Sequence, residues 1–302
     1  MNATLAQPIQ FELPVIQPAE QLLPSSRRPE WLKVRAPGGE SYANIKTMMR
    51  SKSLHTVCEE ARCPNITECW NAGTATFMIL GDTCTRSCGF CAVKTGRPLE
   101  IDPDEPRHVA ESIREMNLRH AVITSVNRDE RADGGSIIWS ETITHTRALN
   151  PNTTIEVLIP DFKGKMEPLQ RIIDAKPDIL NHNTETVPRL YRRVRPQGKF
   201  VWTLALLKEA KAQNMRTKTG VMLGLGETRE EVLEVMEHLR EVNVNILTLG
   251  QYLQPTKNHL PVDRFVHPSE FDEYRRIGLE MGFDIVESGP LVRSSYHAER
   301  HV

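Results

Sequence analysis

Six cysteines lie between residues 58 and 91, and none occurs elsewhere in the 302 residues. They form two triplets: Cys58, Cys63 and Cys69 as C-x4-C-x5-C, then Cys84, Cys88 and Cys91 as C-x3-C-x2-C. A disulfide framework belongs to small domains in oxidising compartments. A chain of this length buries about three quarters of its unfolded surface and needs no covalent staple. Its first residues, MNATLAQPIQFELPVIQPAEQ, lack the basic and apolar regions of a secretory leader. A structural zinc site takes four ligands, usually as two short pairs, yet Cys88/Cys91 is the one C-x2-C pair here. Inert buried cysteines would scatter along the chain. Two iron–sulfur cubes, each with three thiolate corners and one unusual corner, fit the pattern better. An open metal position marks a reactive site.

The 38 Lys and Arg nearly balance the 39 Asp and Glu. That balance gives no support to nucleic-acid binding, which usually needs a basic excess. No apolar run approaches the roughly 18–20 residues that cross a bilayer, so no membrane partner is expected. Absent targeting signals and reduced-thiol chemistry point to a cytoplasmic protein.

Residues 1–28 are Pro- and Gln-rich and read as a mobile arm. A short helix is expected over Tyr42–Arg50, just before the first triplet. From Thr74 onward, strands and helices alternate. Strands are expected at Thr74–Gly81, His120–Val126, Thr153–Ile159, Ile179–Glu185, Thr217–Leu225 and Asn245–Leu253. Between and after them, helical periodicity covers Glu105–Met116, Ser136–Ala148, Met166–Ala175, Leu204–Asn214, Arg229–Val242 and Pro268–Met281. Near-continuous apolar strands alternating with helices imply a parallel sheet. Six such units make an α/β fold, a partial (β/α)6 TIM-like barrel open on one side. The expected division is an arm (1–28), an N-terminal extension (29–73), the barrel (74–282) and a C-terminal extension (283–302). Sites in such folds collect at the C-terminal ends of strands, where the Cys84 triplet falls.

Other loops carry weaker signals. Gly220-Val-Met-Leu-Gly224-Leu-Gly226 reads as a Gly-rich strand end or as a cofactor contact. Asn183-Thr-Glu185 suits the hydroxyls and amine of a nucleoside amino acid, or caps the helix expected from Pro188. Arg128 meets either a substrate carboxylate or a loop partner. Arg189, Arg192, Arg193 and Arg195 form a solvated helix face or a landing patch for an acidic carrier.

The loop Cys84-Thr-Arg-Ser-Cys88-Gly-Phe90-Cys91 resembles the hallmark of the radical S-adenosylmethionine (radical SAM) superfamily. PEWLKVR, HTVCEEARCPNITECW, NHNTETVPRLYR, GLGET, LTLGQYLQP and RSSYHA together resemble one family within it, lipoyl synthase, over roughly residues 28–298. The resemblance implies that Cys84, Cys88 and Cys91 hold a [4Fe–4S] cluster whose open iron binds SAM. It implies SAM contacts from Phe90, Asn183, Glu185, Gly220 and Gly224. It also implies an auxiliary [4Fe–4S] cluster on Cys58, Cys63, Cys69 and Ser295, held by both extensions, with Ser294 one register away. The implied reaction is sulfur insertion at C6 and C8 of a protein-bound octanoyl-lysine, with the auxiliary cluster consumed as sulfur donor. Implied partners are an octanoylated lipoyl carrier domain or glycine-cleavage H protein, and an electron donor such as ferredoxin or flavodoxin. Arg128-Asp129-Glu130-Arg131 and Gln197-Gly-Lys199 depart from the family pattern in substrate-side loops. A different radical SAM enzyme with an auxiliary cluster, or a two-cluster electron carrier, would share the cysteine spacing alone.

Overall fold

The computed structural model describes residues 28–33, 47, 55–56, 65–71 and 74–301. Cys58 and Cys63 lie outside the described residues, as does the arm before Arg28; the helix expected over Tyr42–Arg50 is described only at Thr47. In chain order the elements begin with β1 (His55–Thr56), α1 (Ile66–Asn71) and β2 (Thr74–Ile79). The cysteine loop contains the short pair β3 (Thr83–Cys84) and β4 (Lys94–Thr95). Then follow α2 (Glu105–Glu115), β5 (His120–Ser125), α3 (Ser136–Leu149), β6 (Thr154–Leu158), α4 (Met166–Asp174) and β7 (Ile179–Asn181). The chain continues through α5 (Tyr191–Val194), α6 (Phe200–Ala212), β8 (Arg216–Leu223), α7 (Arg229–Glu241), β9 (Ile246–Gln251), α8 (Pro268–Glu280) and β10 (Ile285–Gly289).

The main sheet runs β1-β2-β5-β6-β7-β8-β9-β10. All its pairings are parallel except that of β1 with β2. Its two end strands are not paired with each other among the described residues, so the barrel is partial. The six expected strand–helix units are present. A seventh parallel strand, β10, follows them within the stretch read as C-terminal extension. Its sequence IVESG is too short and polar to announce itself, and pairing with β9 supplies what its composition lacks.

Helices face the sheet through apolar stripes at helical spacing, such as Val232, Val235, Met236 and Leu239 of α7. A reciprocal Thr228–Glu231 capping box starts that helix. Helix α6 begins at Phe200, four residues before the expected Leu204, because Phe200 sets its ring edge-on to Tyr191 and His238. The strands are buried on both faces but are not uniformly apolar. On β2, Ala75, Phe77 and Ile79 alternate with Thr74, Thr76 and Met78, and the latter three line the interior. Period-2 alternation thus separates a dry outer layer beneath the helices from a polar barrel interior.

At the base of that interior, Lys218 of β8 is fully buried and donates to both Glu156 oxygens at 2.8 and 2.9 Å. Asn181 donates to the same carboxylate at 2.9 Å. Burial would raise the Glu156 pKa, but Lys218 and His120 outweigh it and hold the carboxyl near 2. The C-terminal tail completes the cluster, with His301 Nδ1 3.0 Å from Lys218 Nζ. Burial and Lys218 together keep His301 neutral, its pKa lowered to about 3.

Residues 290–301 therefore form an ordered plug across the open barrel. Leu291 carbonyl accepts from Asn65 at 2.7 Å, Tyr296 donates to Glu68 of α1 at 3.2 Å, and Glu299 accepts from Thr74 at 3.1 Å. No helix of the described residues is long and apolar enough to cross a membrane.

Replacing Lys218 by Met leaves Glu156 as a buried charge without its cation. Chemical denaturation should show a loss of about 3–5 kcal/mol, with most of it recovered when Glu156→Leu is added. A denaturation midpoint unchanged by Lys218→Met would contradict the plug's electrostatic basis.

Candidate active site

The strand ends and the first part of the plug surround a cavity of about 1010 Å³. Cys84, Cys88, Phe90 and Cys91 line it from the loop after β2. Cys69 of α1, Ser294 and Ser295 line the same cavity. The structure thus brings together the second cysteine triplet, the last member of the first and both candidate serines. Cys58 and Cys63 lie outside the described residues.

Cys84 is held by its neighbours: its Sγ accepts the backbone N–H of Arg86 at 3.4 Å and of Asn127 at 3.3 Å. Burial pushes the Cys88 thiol up to about 12 and the Cys91 thiol to about 11. Both are therefore protonated at neutral pH without a metal, and loading must release protons. Among the described residues no trio of His, Cys, Asp or Glu is drawn to the spacing of a single metal ion. Thiols at three corners of an iron–sulfur cube stand further apart than ligands of one ion.

Beside the thiols, β7 ends at Asn181 rather than continuing to Glu185. Glu185 adopts a positive φ of 69° and rejoins the sheet through one bridge to Val221. That departure turns Asn183 and Glu185 into the cavity. Asn183 Nδ2 donates to Glu185 Oε1 at 3.1 Å and to Ser294 Oγ at 2.8 Å. Its Oδ1 is buried without a partner, as is that of Asn127. Val187, not Asn183 or Glu185, caps the turn at Pro188. Burial raises the Glu185 pKa, against the nearby Arg195. A Cβ at Gly220 would come within 2.7 Å of Thr248 Oγ1 and 2.9 Å of Asn183 Oδ1. The glycine keeps this wall of the cavity open.

These features fit a cluster and SAM. Three thiols form the donor set, and two orphaned amide oxygens and a carboxylate offer acceptors to an amine and hydroxyls. Gly224, expected to contact SAM, does not line the cavity. Its φ of +95° and the closeness of Gln251 Nε2, 2.2 Å from an added Cβ, make it a packing glycine.

The residue that organises the loop is one the spacing did not single out. Arg86, between Cys84 and Cys88, is 3% exposed. Its guanidinium grips Asp129 at 2.7 and 3.0 Å and Asp161 at 2.8 and 2.6 Å. Burial opposes its charge, but the two carboxylates overcome it and raise its pKa. Burial would likewise raise Asp161, yet Arg86 holds it below the usual carboxylate range. The arginine run also divides. Arg195 points inward, donating to the Asn183 carbonyl at 2.7 Å and lying 3.5 Å from Asp161. Arg189 pairs with Glu231, while Arg192 and Arg193 stay exposed. Arg128 is buried and donates to the carbonyls of Leu80 and Leu99, a loop role rather than a substrate contact.

A model of the radical SAM superfamily matches residues 78–239. Among solved structures, SuiB of Streptococcus suis bound to S-adenosylmethionine superposes with a TM-score of 0.57 at 11% identity, over 83% of this chain and 61% of that one. Coproporphyrinogen III oxidase of Escherichia coli gives 0.52 at 12% identity, over 81% and 57%. At such identities the likeness is one of fold. Sheet, helices and three-thiol loop define a radical SAM enzyme, and that membership carries a [4Fe–4S] cluster and SAM. A second model, the N-terminal domain of lipoyl synthase, matches residues 14–63. The chain is 60% identical to lipoyl synthase of Rubrobacter xylanophilus over 90% of its length and 85% of the relative's. It is 55% identical to mitochondrial lipoyl synthase of Nematostella vectensis over 92% and 96%. The chain belongs to the lipoyl synthase family, whose work is to make the lipoyl cofactor.

Arg86→Met removes the guanidinium that bridges half-buried Asp129 and buried Asp161 and leaves only the longer contacts from Lys163 and Arg195. The cluster-free protein should lose about 3–5 kcal/mol of stability and bind about half the iron on reconstitution; Arg86→Lys, which keeps the charge without the fork, should recover part of both. Wild-type denaturation and iron content in Arg86→Met would contradict the clamp.

Proposed function

We propose that this protein inserts sulfur at C6 and C8 of an octanoyl chain amide-linked to a lysine of a carrier protein. In this reading the auxiliary [4Fe–4S] cluster on Cys58, Cys63, Cys69 and Ser295 is a substrate, consumed as the sulfur source. The carrier is a lipoyl domain or a glycine-cleavage H protein. The observation that carries the reading is the single cavity lined at once by Cys84, Cys88 and Cys91 and by Cys69 and Ser295. Unactivated methylene C–H bonds resist acid–base chemistry because no neighbouring group stabilises a carbanion. A [4Fe–4S] cluster and SAM held at Cys84, Cys88 and Cys91 would supply the one-electron chemistry that such bonds require.

The chain's own residues bind, orient and exclude water. Cys84, Cys88 and Cys91 hold the site cluster, and Phe90 packs partly buried beside them. Asn183 and Glu185 present an amide oxygen and a carboxylate to the amine and hydroxyls of SAM, and Gly220 leaves room for it. Ser294 and Ser295 take different duties. Ser294 already accepts from Asn183 on the SAM side. Ser295 precedes Tyr296, which donates to Glu68 one residue from Cys69, so Ser295 suits the fourth corner of the auxiliary cluster. A hydroxyl is a weak, hard ligand beside three thiolates and releases readily as the cluster is dismantled.

Given SAM, a reductant and an octanoyl-lysine peptide, the reconstituted protein should form 5′-deoxyadenosine and lipoyl-lysine. Ser295→Cys should retain wild-type iron, roughly eight atoms per chain for two cubes, while slowing lipoyl-lysine formation about tenfold or more. Deoxyadenosine without sulfur insertion, or unchanged turnover in Ser295→Cys, would overturn the reading.

A further inference from the structure

The cluster loop has two sides. Cys84, Arg86, Cys88, Phe90 and Cys91 face the cavity, whereas Ser87 and Gly89 do not line it. Ser87 is exposed, although it adjoins Cys88. Two segments frame this outer side. Val194 carbonyl accepts from Gly89 N–H at 3.0 Å, and Gln197 donates to Ser87 Oγ at 2.9 Å. From the other side, Leu260 N–H donates to the Gly89 carbonyl at 3.0 Å, and a ring nitrogen of His259 lies 2.9 Å from the Cys91 carbonyl. The framing segments carry exposed Arg192, Arg193 and Lys257. Among the described residues none of these three side chains has a hydrogen-bond or ion-pair partner. Lys199 adds a charge beside them, over the Trp202 ring at 4.6 Å. The exposed carboxylate of this region, Asp263, sits away from the loop, near Gly226.

We propose that the outer face of the Ser87–Gly89 loop, ringed by Arg192, Arg193 and Lys257, is the docking surface for a small acidic one-electron donor protein. The inference rests on the radical SAM reading of the Cys84 triplet. The transfer oxidises the donor by one electron and reduces the cluster by one; no bond breaks. Chemistry that begins with an electron needs an entrance that does not compete with the octanoyl arm for the cavity. Ser87 is the exposed point of the loop, next in sequence to the ligand Cys88, while Gly89 beside it is covered by Leu260 and the Arg193 carbonyl. Unpaired cations around that point attract an acidic partner, raise its encounter rate and leave the loop itself unobstructed. An acidic lipoyl carrier would meet the same charges, but its arm must enter the cavity, and this face is turned from it.

The test uses the full reconstituted protein and reduced flavodoxin as the acidic probe, with dithionite as a small reductant. Cluster reduction is followed by loss of visible absorbance after rapid mixing, so it is read whether or not sulfur insertion occurs. Arg192→Glu/Arg193→Glu/Lys257→Glu should slow reduction by flavodoxin about tenfold or more and leave reduction by dithionite unchanged. In wild type, raising salt from ~50 to ~300 mM should slow the flavodoxin reaction alone. Equal slowing with both reductants, or a salt-insensitive flavodoxin rate in wild type, would overturn the proposal. So would unchanged reduction with a raised KM for an octanoylated carrier, which would assign the surface to the carrier instead.

Discussion

The site depends on one buried ion pair system. Arg86 lies inside the cysteine loop and reaches two carboxylates at the ends of neighbouring elements, Asp129 after β5 and Asp161 after β6. A two-pronged guanidinium fixes direction as well as distance, which a lysine does not. Desolvating such charges is costly, and only full hydrogen bonding on both sides compensates. That cost is accepted where a loop of twelve or so residues must hold three thiols in register against a strand end. Arg195 extends the same system to the Asn183 carbonyl, so the three-cysteine loop and the Asn183–Glu185 turn share one set of charges.

The far end of the chain closes the other half of the cavity. The tail crosses the interior from Ser294, bonded to Asn183, down to His301, bonded to Lys218. Leu291, just before this stretch, and Tyr296 within it tie the tail to Asn65 and Glu68, beside and in the helix of Cys69. Thr74 of β2 likewise meets the tail through Glu299. A serine in this tail is therefore delivered to the cavity by contacts that span more than two hundred residues of sequence.

Much of this was legible without coordinates. The Cys84, Cys88 and Cys91 spacing announced the radical SAM loop, and apolar strands with helical stretches between them announced the partial barrel, because both signals are local. What escaped was non-local. Glu156 and Lys218 interrupt their strands with charge that makes sense only when β6, β8 and the tail meet. Asp161 and Asp129 look like ordinary loop acids until Arg86 is placed between them. Arg195 read as one of four surface arginines, yet it stands at the C-cap of α5, where the backbone has left the helix, and it turns inward while Arg192 stays exposed. Gly224 fitted a motif, while its positive φ and the crowding of Gln251 give it a packing task. The strand Ile285–Gly289 carried too weak a pattern to stand out from a tail.

In the proposed reaction both sulfur atoms come from within this cavity, from a cluster bridging Cys69 and the tail serine. Isotopic labelling tests it directly. The protein is reconstituted with iron and ³⁴S-sulfide, freed of excess sulfide, and given unlabelled SAM, reductant and octanoyl-lysine peptide for one turnover. Mass spectrometry of the product should show two ³⁴S atoms in each lipoyl group. A product carrying unlabelled sulfur at either position would contradict it.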